Sequence, residues 1–187
     1  MLEKLINETS KAIISAIEGV DDIATALRNA VKNQIVGIFK NVGEIGKSGL
    51  EEIASVASGA IKGAVNIGTP IAEATKGTIR GIILGIDDIG GDFISTVKKA
   101  TKGVINGASE IGGDIGVTAV AAVEGVIKAA KNLGVDTAEA AEAAITGVIK
   151  AADDIGTEAG TTVKKALLGA ASLPKDIVEK IVEKKSK

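Results

Sequence analysis

The string NVGEIGKS, Asn41 to Ser48, carries the residue types that bind phosphate: glycines, then a lysine, then a hydroxyl. A phosphate-binding loop opens on Gly or Ala, ends in GK[ST] and follows a buried strand. Here the opening place is Asn41 and no strand pattern precedes it. The places equivalent to Lys47 further along the chain hold Thr69, Gly91, Gly113, Val135 and Thr157, so the string reads as one variant of a structural unit. Asp87, Asp88 and Asp92 cluster like calcium ligands, but the alternation of ligands and the closing glutamate of a calcium loop are missing. Glu51 and Glu52 form a carboxylate pair on an exposed face, where nothing raises a pKa for acid–base work. The chain has no Cys and no His, which excludes thiol and imidazole catalysis, zinc fingers and disulfides. We therefore expect no enzyme, no cofactor, no metal and no small-molecule substrate. Two Phe are the only aromatic residues and the net charge is −2, which disfavours nucleic acid as a partner.

The elements that position these residues follow from a repeat. Gly37, Gly59, Gly81, Gly103, Gly125, Gly147 and Gly169 stand 22 residues apart. A second column, Gly46, Gly68, Gly90, Gly112, Gly134 and Gly156, keeps the same step. Together the columns hold 13 of the 24 glycines in the 187-residue chain. The organisation expected is an N-terminal amphipathic cap over 1–14, seven 22-residue repeats over 15–168, and a basic amphipathic helix over 169–187, after Pro174.

Twenty-two residues are two elevens, and eleven residues make three turns at about 3.67 residues per turn. On that wheel an apolar arc of about 130° forms, as on an amphipathic helix. It holds Ile82, Ile83, Ile86, Ile89, Phe93, Ile94 and Val97, continues through Val104, Ile105, Ile111 and Ile115, and recurs at Val126, Ile127, Leu133, Val148, Ile149 and Ile155. Lys76, Asp87, Asp88 and Lys98 fall opposite. No period of two appears, so the class is all-α. Beside the arc run the pairs Gly59/Gly63, Gly81/Gly85 and Gly103/Gly107, continued by Gly125 and Gly147, each with Ala four residues on. Small residues at this spacing admit a second backbone. Because each interior glycine costs a helix about 1 kcal/mol against Ala, the stripe implies packing that compensates.

Unbroken phase across each junction favours long helices, kinked at Pro70 and assembled as a straight to right-handed coiled coil. Asp87-Asp88 and Asp153-Asp154 point the same way, since acid opposes the macrodipole at a helix C-terminus. The alternative is a bundle or stack of helices of about 19 residues. They would break at the second glycine column, with C′ glycines followed by a Ser48–Glu51 capping box, Thr69-Pro70, or the N-caps Asp92, Asp114 and Asp136.

The unit GIILGIDDIGGDFISTVKKATK, Gly81 to Lys102, resembles hendecad coiled coils. KATKGVINGASEIGG, Lys99 to Gly113, resembles the 11-residue repeats of lipid-surface proteins such as synucleins, perilipins and exchangeable apolipoproteins. The first resemblance implies a non-enzymatic structural protein that self-associates through the arc and the glycine stripe, associated with a membrane. The second implies a peripheral protein that coats or remodels lipid surfaces. The partners expected are a second copy of the chain and membrane lipid, with Lys180, Lys184, Lys185 and Lys187 as contacts for anionic headgroups. No N-terminal leader pattern and no run of about 18 uncharged apolar residues appears, so a cytoplasmic or peripheral location is expected.

Overall fold

The structure, a computed structural model, describes residues 1–40 and 47–187, with the side chains of residues 47 and 48 left aside. Among the described residues there are nine α-helices and no strand: α1 (Leu2–Ile17), α2 (Ile23–Phe39), α3 (Lys47–Asn66), α4 (Ile71–Asp88), α5 (Phe93–Glu110), α6 (Ile115–Leu133), α7 (Thr137–Ile155), α8 (Thr157–Gly169) and α9 (Lys175–Lys185). The long-helix expectation fails. The helices α4 to α7 are 18 or 19 residues each, and the second glycine column ends them.

The break is chemical. Gly68, Gly90, Gly112 and Gly134 have φ of +93°, +75°, +68° and +71°, the left-handed region that glycine enters without a Cβ clash. The residue after each closes a six-to-one bond to the helix behind it: Thr69 N–H to Ala64 O, Gly91 to Ile86, Gly113 to Ala108 and Val135 to Ala130. That bond is the signature of the Schellman turn. A new helix then starts on a capping side chain. Asp92 accepts from the Ser95 N–H, Asp114 from Val117, and Asp136 from Ala138 and Glu139. Pro70 kinks nothing, because it stands before the first residue of α4, where its missing N–H costs no bond. Thr69 does not cap α4; its hydroxyl is buried and unpaired among the described residues. Gly156 separates α7 from α8. Gly46 and the Ser48 side chain of the expected capping box lie outside what is described.

Two of the acids that precede the breaks pair with a neighbouring helix. Asp88 ends α4 and pairs with Lys32 of α2 at 2.7 Å, and Asp153 near the end of α7 meets Lys164 of α8 at 3.5 Å. Each cation offsets the unfavourable dipole.

Helices of alternate number pack side by side. The odd-numbered helices form one layer, the even-numbered ones a second, and consecutive helices cross between layers as antiparallel hairpins. Within a layer neighbours run parallel: Gly59 of α3 faces Thr9 of α1, and Gly63, one turn later, faces Ser10 and Ile13. The core lies between and within the layers and is built of Ile, Val and Ala, with Leu27, Phe39, Leu167 and Leu173 at its ends. Such a stack, in which each element touches only its near neighbours, is a helical-repeat architecture.

Candidate functional site: the packing seams and the charged grooves

Most of the expected arc is interior to the chain. Ile82, Ile83, Ile86, Val97, Val104, Ile105, Val126, Val148 and Ile149 are buried, and Ile89, Phe93, Ile94, Ile115, Ile127 and Leu133 are partly buried against the same core. Ile111 and Ile155 depart from this; they sit at helix ends and are 38% and 43% exposed.

The glycine stripe lies on helices of the same chain. A Cβ at Gly59 would come 2.5 Å from the carbonyl oxygen of Ile6, and at Gly81 2.6 Å from that of Arg28. One at Gly103 would strike the Ala54 carbonyl, and at Gly107 it would stand 2.9 Å from the Cα of Ser58. Gly63 meets the Ser10 carbonyl at 2.6 Å and Gly85 the Cβ of Ile35 at 2.9 Å. Gly147 lies against the Thr101 hydroxyl, while Gly125 is looser, 3.3 Å from Ile79. Each stripe thus seats a helix on its neighbour two places earlier in the chain. Gly37 has nothing within 4 Å. It sits near the end of α2, whereas its column mates in α4 to α7 sit mid-helix.

Ion pairs lie over the same seams. Lys62 reaches Glu110, Lys99 reaches Glu51, and Lys76 meets Glu124 at 2.6 Å. The Glu51 carboxyl is held below its ordinary value chiefly by the hydrogen bond from Lys99. Burial pushes the Glu124 carboxyl up, but hydrogen bonds from Lys76 and Ser172 outweigh it and the net shift is downward. Asp92 is lowered by the Ser95 N–H it caps. These shifts move carboxylates away from neutrality, opposite to what a general acid requires. The Asp87, Asp88 and Asp92 cluster resolves into an ion pair at Asp88 and a helix cap at Asp92. The string from Asn41 to Gly46 lies outside the described residues.

The C-terminal stripe faces inward. Val178, Ile181 and Val182 are buried and Ile177 partly so, while α9 lies on α7 and α8. Lys180 is 3.4 Å from Glu142 of α7; Lys184 and Lys185 stand in the last turn of α9, where cations suit the helix dipole. Lys187 is exposed beyond it. No helix among the described residues is long and apolar enough to cross a membrane.

Sequence reasoning missed one arrangement: a groove of about 480 Å³ between α5 and α7, lined by Lys98, Lys99, Lys102, Thr146, Lys150 and Asp154. Net charge conceals it, and only knowledge of which helices neighbour each other brings these lysines together.

No family model matches the chain, and no curated protein matches it. Among solved structures it is similar to the crystal structure of the de novo designed helical repeat protein DHR7, with a TM-score of 0.54 and 19% identity over 98% of this chain and 97% of that one. The likeness is one of fold: this chain has an all-helical repeat fold.

Proposed function

We propose that this chain is a non-enzymatic structural protein, a helical-repeat scaffold that acts by offering its surface to partners. One observation carries the proposal. The Ile arc and the glycine stripe, the two surfaces able to seat another helix, are occupied by the chain's own helices, and the outward faces of α1 and α9 are polar. Polar outer faces on the first and last helices keep a repeat stack from adding further copies. Self-association through the arc then requires the stack to open.

A second proposal is peripheral lipid binding. It is favoured by the construction of the helices: α3 to α8 each carry an apolar face and are joined in succession by short glycine turns, so hairpins can unfold from the stack onto a lipid surface with their helices intact.

Circular dichroism and multi-angle light scattering, with and without anionic vesicles, separate the two. A helical monomer whose spectrum and mass are unchanged by vesicles is the result expected of a scaffold. A stable oligomer in buffer would return self-association to first place. Vesicle binding with loss of the compact monomer would replace the scaffold with the lipid-surface function.

A further inference from the structure

We propose that the groove between α5 and α7 binds a diphosphate or another closely spaced pair of phosphate groups. Its walls are Lys98, Lys99 and Lys102 on α5 and Thr146, Lys150 and Asp154 on α7. Four cations thus face one carboxylate, in a chain whose net charge is −2. Neighbouring grooves are balanced. The one along α9 combines Lys180, Lys184 and Lys187 with Asp176, Glu179 and Glu183, and the one beside α8 sets Lys76 against Glu124.

The excess arises from the register of the stack. Side chains of parallel neighbours meet 48 residues apart: Lys62 with Glu110, Lys99 with Glu51, and Ser172 with Glu124. Lys76 and Glu124 keep the same step. Each of these contacts ends on a carboxylate. The same step carries Lys102 to Lys150 and Lys98 to Thr146, so the α5–α7 seam opposes cation to cation with no carboxylate one turn away at Thr146. In the other layer the step carries Arg80 to Lys128, but Glu124 stands one turn before Lys128 and is ion-paired. The residue in its place on α7 is the neutral Thr146.

Local partners compensate the charge only in part, four lysines standing against the two carboxylates of Glu51 and Asp154. Glu51 is shared between Lys99 and Lys102, the latter at 3.7 Å, and Lys150 reaches Asp154 only at 3.9 Å. Lys98 and Lys102 repel along one face of α5, being one turn apart. A phosphate ester carries a charge of about −1.5 to −2, so one phosphate matches this excess and a second draws Lys99 and Lys102 from Glu51. Ammonium groups bind phosphate as point charges, and the Thr146 hydroxyl adds a donor. Aromatic side chains for stacking bases are absent from the groove, so the specificity is for the phosphates.

The experiment uses the full chain. Titration calorimetry with sodium pyrophosphate at low salt should give one saturable site. Affinity should fall by about tenfold or more in Lys102→Gln and in Lys150→Gln, each of which removes a charge-assisted contact. Lys128→Gln, at the equivalent place on α6, should bind as the parent does. Circular dichroism identifies any variant that fails to fold, and Lys98→Gln then replaces it. Sedimentation with phosphatidylcholine vesicles, with and without phosphatidylinositol bisphosphate, assigns the source. Pulldown reversed by pyrophosphate makes the ligand a lipid headgroup; pyrophosphate binding without pulldown makes it soluble. Absence of saturable binding in both arms, or an equal loss in Lys128→Gln, overturns the site. The outcome is independent of the scaffold proposal, since a closed monomer can pass or fail it.

Discussion

At the residue scale, one glycine column holds two opposite energetic situations. Gly103 is pressed against the Ala54 carbonyl of α3, where a methyl group has no room and backbone must move. Gly37 is helical and faces open space. Overpacking costs about 1–3 kcal/mol, whereas Gly→Ala at an open helical site returns roughly 0.5–1 kcal/mol through helix propensity and the unfolded chain. Gly103→Ala should therefore lower the urea midpoint and Gly37→Ala should raise it. Two changes of the same sign would mean that the stripe is not a packing seam. The sequence shows the column but not this distinction. Gly37 is open because α2 is the first helix of its layer, so there is no helix two places earlier for its stripe to meet.

The lowered carboxylates give the chain a defined acid response. Glu51, Glu124, Asp92 and Asp22 all have folded-state values below their ordinary ones. The unfolded state therefore takes up protons first, and stability present at neutral pH is lost as pH falls through the ordinary carboxylate range near about 4 and below. Denaturation midpoints at a series of pH values should be level near neutrality and decline in acid. Glu124→Gln should flatten the decline while lowering the neutral plateau slightly, because the exposed end of its pair with Lys76 is screened. An acid decline as steep in Glu124→Gln as in the parent would count against the pair.

At the element scale, the question is why unbroken 11-residue phase did not mean an unbroken helix. The three junctions from α4 to α7 use the same parts: a left-handed glycine, one further residue, then an aspartate cap, as in Gly90-Gly91-Asp92 and Gly112-Gly113-Asp114. A turn of fixed length repeated with a helix of fixed length preserves phase as faithfully as continuity does. The caps were legible in the sequence, and their agreement with the glycine column outweighs the dipole argument, which surface ion pairs such as Lys32–Asp88 can answer. Junctions built this way should be locally expensive to alter. Gly112→Ala forces a Cβ into the left-handed region at about 1–2 kcal/mol, and Asp114→Ala removes the α6 cap at about 1 kcal/mol. A long-helix protein would instead gain stability from Gly112→Ala. Thermal melts of the two variants decide the sign.

At the scale of the whole molecule, the wheel gave the faces but not their partners. An arc and a small-residue stripe on every unit fit equally a coiled coil of several chains and a stack of helices from one. What closes the stack within the chain is the pair of surfaces each unit offers, one toward its predecessor in the same layer and one toward the hairpin partner in the other. The same arithmetic makes the last helices covers for apolar surface. Val178, Ile181 and Val182 of α9 are buried beside α7, and Lys180 ties the two together through Glu142. Ending the chain after Gly169 removes this cover and leaves an apolar strip of α7 exposed. Because the stack is stabilised by nearest neighbours, the remaining helices should stay folded, with a native-like helical spectrum and a smaller denaturant m-value in proportion to the lost surface. The bared face should make the shortened chain associate in a concentration-dependent way, read by sedimentation velocity against the 187-residue chain. Loss of all helical signal on truncation would show instead that α9 is integral to one cooperative unit. A shortened chain that stays monomeric at every concentration would show that the α7 face needs no cover.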